Sequence, residues 1–367
     1  MENSNRQKVW LGVIVGIGLI GAIYFVGKLA GRPVEVDGGY REVMGTFARI
    51  VAVAKSQRQA KSCIEAGFAE LKRIDSVMSD YKADSELSKV NREAFGRAVK
   101  VSPELFGILQ KSVEFSRLSG GAFDITVGPL VDLWRKAGEA NTMPDDNAVA
   151  LAKSRVGYEK LILSRKGPLP GDANAMTVRF AVDGMRLDLG GIAKGYSVDK
   201  AVEVMRRKGA IAGMVDSGGN IRCFGKPIDR DFWLIGLQNP KAVRPETALP
   251  ESQGIVGAEQ VLMVLKLTDS AVATSGDYRR FAMVAGKKVS HIIDTNTATG
   301  ANKLSSDTII AKTGIDTDAL STAVNVLGAE KGLALIESLS ETECILITAA
   351  PEYRVIKSRG VDSYLSN

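Results

Sequence analysis

The chain holds a single histidine, His291, in the stretch VSHIIDTNTATG (289–300). One imidazole cannot build a zinc site of several histidines, and Cys63, Cys223 and Cys344 are too scattered to supply a clustered thiolate set. Proton transfer near neutral pH is the chemistry left to it, although a lone histidine is more often structural than catalytic. Three other stretches combine glycines with polar groups. In LDLGGIAKGYSVDKAVEVM, a strand ending at Asp188 meets Gly190 and Gly191, and a helix begins near Ala193. Glycine there lets the backbone approach a ligand, and the helix N-terminus with Lys194 favours an anion such as phosphate. The spacing matches neither a P-loop nor a dinucleotide fingerprint, and a tight turn with an exposed lysine would read the same way. In GIDTDALSTAVNVLG, Asp318, Ser321 and Thr322 share one face if Asp318 begins a helix. Such a carboxylate with two hydroxyls, completed by a backbone carbonyl and a substrate phosphate, suits magnesium. The alternative is an ordinary helix start capped by Asp316 or Asp318, with the hydroxyls facing the core. In SGGAFDITVGPL, Asp124 lies between apolar residues, either on a solvated strand or lining a cleft. Just ahead of the histidine, Ser275, Gly276 and Asp277 of ATSGDYRR are polar positions between strand-like runs, as a site floor requires.

The elements that must position these groups alternate without an internal repeat. Phe47–Ala54 reads as a strand, and Ile64, Phe68, Leu71, Ile74 and Met78 recur at helical spacing after it. Ser102, Pro103 and Glu104 mark a helix start, and Gly120 with Gly121 its stop. Short strands are predicted over Thr177–Val182, Trp233–Leu237, Val261–Leu267 and Cys344–Thr348, with surface loops over Pro168–Asn174 and Ala242–Gly257. The class is α+β, in one integrated domain.

The net charge of +6 is dispersed, with no arginine-rich run or aromatic-interleaved basic patch to argue for nucleic acid. The N-terminus differs in kind: Val9–Gly27 runs without a charge after Arg6 and Lys8 and is long enough to cross a bilayer. The small residues of a cleavage site are not at the right spacing, so an uncleaved anchor is expected, with the chain beyond it outside the cytoplasm. Lys28 and Arg32 on the far flank oppose that orientation. Residues 1–30 are thus expected to be an anchor or uncleaved signal, 31–43 a polar linker, and 44–367 the folded domain.

Taken in order, MGT (44–46), MSDYKADSELSKVN (78–91), GGAFDITVGPL, LDLGGIAKGY, DSGGN (216–220), ATSGDYRR, SHIID and DALSTA resemble the ApbE family of flavin transferases. The resemblance covers almost the whole chain beyond the apolar stretch. It implies a T-fold-like α+β architecture that binds FAD and magnesium outside the cytoplasmic membrane. It implies that FAD is split at its pyrophosphate, that FMN is joined to a threonine hydroxyl of an acceptor protein, and that AMP is released. The acceptors it implies are subunits of membrane redox complexes of the sodium-pumping NADH:quinone reductase type. Carried over residue by residue, the flavin site falls on Met44, Tyr81, Ala122, Phe123, Asp124, Asp188, Lys194 and Ile292. The metal site falls on the Gly191 carbonyl, Asp318, Ser321 and Thr322. His291 becomes the expected base, with Asp294 orienting it or contacting the flavin. Relatives usually carry proline after that aspartate; here Thr295 stands in its place and Asn296 to Ala298 lengthen the turn, which predicts a shifted loop. Two rival readings keep the flavin: a magnesium-dependent FAD pyrophosphatase with water as acceptor, and a non-catalytic membrane-tethered flavin carrier.

Overall fold

The computed structural model describes residues 32–165, 175–242, 260–276 and 281–366. The apolar stretch Val9–Gly27, the loop predicted over Pro168–Asn174, nearly all of Ala242–Gly257, and Asp277 lie outside the described residues. Among the described residues no helix is long and apolar enough to cross a membrane.

Eight strands form the main sheet: β1 (Val34–Val43), β2 (Thr46–Ala54), β3 (Ala212–Ser217), β4 (Asn220–Phe224), β5 (Ala271–Gly276), β6 (Leu304–Ala311), β7 (Glu343–Thr348) and β8 (Val355–Lys357). They pair in chain order and antiparallel throughout. Among the described residues the α-helices are α1 (Gln57–Met78), α2 (Glu86–Glu93), α3 (Pro103–Leu118), α4 (Gly128–Ala140), α5 (Asp146–Ser154), α6 (Ala193–Arg207), α7 (Gly314–Leu327) and α8 (Ala329–Glu337). The class is the expected α+β. Helix α3 starts as its sequence requires: the Ser102 hydroxyl accepts from Leu105 N–H and Pro103 occupies the first turn.

Alternation along the strands divides the core between the two faces of the sheet. Ile50, Ala52 and Ala54 pack on Ile64, Phe68 and Leu71 of α1 and on Val198 and Met205 of α6. Val51 and Val53 point the other way, with Val272, Ile310 and Ile345, against a hairpin of Trp233–Gln238 and Val261–Leu267. Because both faces are covered, β2 reads as a nearly unbroken apolar run. Each fully buried leucine, isoleucine or phenylalanine contributes about 2 kcal/mol.

Two expectations are corrected here. Within the polar linker expected over 31–43, Val34–Val43 form strand β1, paired with β2. Its Asp-Gly-Gly has the composition of a loop, but the pair shifts register between Asp37 and Tyr40, so these residues make a bulge in an edge strand. The Asp37 carboxylate accepts from Gly39 N–H and pairs with Arg49. A side chain at Gly38 would meet Ile64 at 2.5 Å, so only glycine lets this edge lie on α1. The strand expected to end at Asp188 is not one either. Asn91 takes the place of a neighbouring strand: its amide nitrogen donates to Leu187 O at 2.9 Å and its oxygen accepts from Leu187 N–H at 2.8 Å.

Candidate active site

A cavity of about 640 Å³ opens where the β1–β2 and β3–β4 turns, strand β5 and the N-terminal ends of α6 and α7 converge. That volume is ordinary for a cofactor-sized ligand. Met44, Asn220 and Ser275 reach it from the sheet, Tyr81 from the segment after α1, and Ala122, Phe123 and Asp124 from the loop before α4. Asp188, Gly191 and Lys194 line it at the start of α6, His291 and Ile292 from the loop opposite, and Asp318 and Thr322 from α7. Of the residues expected in the site, Asp294 and Ser321 are not among those lining it.

Helix α7 begins a turn earlier than Asp318. Thr313 is its cap, its hydroxyl accepting from Asp316 N–H, so neither Asp316 nor Asp318 is the capping residue. At 3.6 residues per turn, Thr322 lies about 40° to one side of Asp318 and Ser321 about 60° to the other. Thr322 therefore shares the cavity with Asp318, whereas Ser321 turns toward the sheet. Its hydroxyl lies 2.6 Å from Asp307 Oδ1 and 2.7 Å from Ser275 Oγ, so it does not line the cavity beside Asp318. Asp307, on β6, is fully buried; Asn325 donates to its other oxygen at 2.9 Å. Burial pushes its carboxyl up to about 7, against the lowering effect of Ser321 and Asn325.

Asp318 is buried, and Gly195 N–H donates to its Oδ2 at 2.9 Å. Burial raises its pKa, opposed by Lys194, whose Nζ lies 3.9 Å from Oδ1, and by hydrogen bonds from Gly195 and Asn220. A Cβ on Gly191 would lie 2.7 Å from Thr322 Oγ1, so glycine is what brings that backbone against the hydroxyl. Asn220 is buried beside the carboxylate, and its Oδ1 has no hydrogen-bond partner. One buried carboxylate, a hydroxyl four residues on, an adjacent backbone and an unused amide oxygen fit a hard cation that keeps water or phosphate ligands. Among the described residues no group of three or more histidine, cysteine, aspartate or glutamate side chains could form a metal cage.

The rest of the cavity is lined differently. Tyr81 is 76% exposed and presents its ring at the mouth, with the Arg135 guanidinium 5.7 Å from the ring centroid. Met44 adopts a left-handed backbone, φ 54°, in the β1–β2 turn. Asp188 accepts from Gly190 N–H at 2.7 Å and so shapes the glycine turn. Asp124 contributes more to architecture than the sequence suggests. It accepts from the Thr126 amide and hydroxyl and from Tyr158 N–H at 2.7 to 2.9 Å, and burial raises its pKa against those bonds. Asp80, which sequence reasoning missed, also lines the cavity and pairs with Arg186 at 2.8 Å. Burial, with Asp188 nearby, pushes its carboxyl up to about 6.

The loop after His291 is held from several sides. Thr295, where a proline was expected, donates its hydroxyl to Gly121 O at 3.1 Å and ties the loop to the Ala122–Asp124 wall. Trp134 Nε1 donates to Ala298 O at 2.7 Å, and Lys153 bonds Asn296 O. These three bonds hold the turn in place. Asp294 does not line the cavity: it accepts from Asn296 N–H at 2.9 Å and lies 3.6 Å from Lys303 Nζ, so its carboxylate closes the turn.

Asp307, Asn325 and Asn220 escaped the sequence reading because each becomes notable only through its burial. The one signal available was a charge in the middle of the strand LSSDTIIA, all of whose residues are buried.

Comparison with known proteins places the same residues in a family context. The ApbE family profile matches residues 44–346. The FAD:protein FMN transferase of Treponema pallidum is 32% identical over 329 residues, covering 87% of this chain and 86% of its own length. That of Haemophilus influenzae is 32% identical over 273 residues, 73% of each chain. Among solved structures, the ApbE protein of Thermotoga maritima superposes with a TM-score of 0.76 at 27% identity, over 92% of this chain and 100% of its own. The flavin transferase ApbE of Vibrio cholerae gives 0.72 at 26% identity, over 91% and 100%. Since the profile begins at the cavity residue Met44 and runs through every element that lines the cavity, the chain belongs to the ApbE family.

Proposed function

We propose that this chain is a magnesium-dependent FAD:protein FMN transferase that joins FMN to a threonine hydroxyl of an acceptor protein. The observation that carries the reading is the gathering, in one cavity, of an anion-binding helix start with Lys194, the pair Asp318 and Thr322, an exposed tyrosine face and the single histidine. Tyr81 offers its ring to the flavin. The amide groups at the start of α6 and the Lys194 ammonium take the pyrophosphate. Asp318, Thr322 and the Gly191 carbonyl would hold magnesium, which would offset charge on the pyrophosphate and on the leaving AMP. The threonine oxygen attacks the FMN-side phosphorus in line, the bond to the AMP oxygen breaks, and His291 takes the hydroxyl proton.

The family placement and the uncharged run Val9–Gly27 support a single-pass anchor in the cytoplasmic membrane, with the catalytic domain on the periplasmic or extracellular side. That placement supports an acceptor in a membrane redox complex of the sodium-pumping NADH:quinone reductase type. The test is incubation of the full chain with FAD, magnesium and a candidate acceptor, with and without EDTA, followed by in-gel flavin fluorescence of the acceptor. Fluorescence abolished by EDTA is the expected result. FMN and AMP without labelled acceptor would mean that water is the acceptor, and unchanged bound FAD would mean a carrier.

A further inference from the structure

Asp199 belongs to α6 and does not line the cavity, yet it joins α6 to α7, the two helices that carry or adjoin the candidate cation-binding oxygens. Its carboxylate crosses to α7 and accepts from Gly314 N–H at 2.8 Å and from Ile315 N–H at 2.9 Å. Thr313 takes the next amide, of Asp316, so the first turn of α7 is capped partly by its own chain and partly by another helix. Arg222 of β4 stands 3.3 Å from the same carboxylate. Around this clamp the two helices approach backbone to backbone: a Cβ on Gly195 would lie 2.0 Å from Gly314 O, and one on Gly314 would lie 2.5 Å from Gly195 O. Two glycines permit a close approach but give it no direction. The paired, charge-assisted bonds of Asp199 do, because they fix both the rotation and the height of α7 against α6.

The cation site spans that same junction. Gly191 sits just before α6, whereas Asp318 and Thr322 sit on α7 one and two turns beyond the clamped amides. Any slip of α7 on α6 moves the Gly191 carbonyl relative to the Asp318 carboxylate. The carboxylate is also an expensive cap: burial pushes it up to about 6, with the two amides and Arg222 opposing that rise. A serine or asparagine would cap the helix without burying a charge.

We propose that Asp199 is a positioning residue for the divalent cation, holding α7 against α6 so that Asp318, Thr322 and Gly191 converge; this rests on the metal-dependent reading given above. The test uses the full chain in detergent, with Mn²⁺ as the probe and its binding followed by electron paramagnetic resonance. Flavin binding without divalent cation and hydrogen–deuterium exchange of residues 314–316 are measured alongside. In Asp199→Asn, the amide turns an N–H toward one of the two backbone N–H groups. The expected result is Mn²⁺ affinity about tenfold weaker, as for partners that orient metal ligands, with flavin affinity little changed and faster exchange at 314–316. Asp199→Ser, which keeps a single acceptor, should move the same way. Mn²⁺ affinity unchanged in either folded variant overturns the proposal. So does joint loss of metal and flavin binding, or failure of both variants to fold, which would make Asp199 a residue of stability alone. Asp318→Asn separates the two layers: if it binds Mn²⁺ as tightly as wild type, the metal site itself is misassigned and the role of Asp199 falls with it.

Discussion

Replacing Asp307 with asparagine should make the protein more stable at pH 8 and should cancel a defined part of its pH dependence. The carboxylate is fully buried on β6; Asn325 donates to one oxygen and the Ser321 hydroxyl lies 2.6 Å from the other. Burial moves its pKa from 3.8 to about 7. A carboxyl raised in the folded state stabilises the fold below its unfolded value and loses that contribution as pH rises through the folded value. The interval from 3.8 to about 7 corresponds to about 4 kcal/mol, lost between roughly pH 4 and pH 8. Asparagine stays neutral. Its oxygen can still accept from Ser321, and Asn325 can turn its amide to accept from the new N–H. The measurement is urea unfolding of both proteins at pH values from 4 to 8, taking the difference between them at each pH. Asp80 and Asp199, whose carboxyls are also raised to about 6, are common to both proteins and drop out of the difference. The variant should gain on wild type by about 4 kcal/mol across that range. A difference that does not change with pH would refute the reasoning, because Asp307 would then titrate alike in the folded and unfolded chains.

Other outcomes follow from the cavity. His291→Ala should lower FMN transfer by about 10²- to 10⁴-fold with FAD binding retained; near-normal transfer would remove it as the base. Gly195→Ala drives a methyl to 2.0 Å from Gly314 O, so thermal melting should show a loss of about 3 kcal/mol; a wild-type melting temperature would contradict the close helix contact. Thr295→Val removes the bond to Gly121 O, worth about 1 kcal/mol, and steady-state kinetics should show a several-fold rise in KM for FAD with kcat little changed.

Much of the chemistry was legible before the fold. His291, Asp318 and Lys194 stand out by type against glycine and apolar neighbours, and the order of short motifs carries the family. The start of α3 at Ser102 and Pro103 was also local, since a cap and a first-turn proline act within a few residues. The failures share a cause. Strand β1 reads as a linker because a bulge and a loop have the same composition, and only pairing with β2 distinguishes them. Asp294 sits in the right motif, but its carboxylate was already engaged by Asn296 and Lys303.

The sequence by itself determined which residue types were available for binding phosphate, holding a hard cation and moving a proton, because charge, acidity and backbone freedom belong to the residue. Tertiary structure decided which of them face one another. Helical spacing placed Ser321 and Thr322 equally well beside Asp318, and the packing of α7 on the sheet chose Thr322 for the cavity and gave Ser321 to Asp307. The raised carboxyls of Asp307, Asp199 and Asp80 likewise arise from desolvation, which depends on atoms brought together from distant parts of the chain.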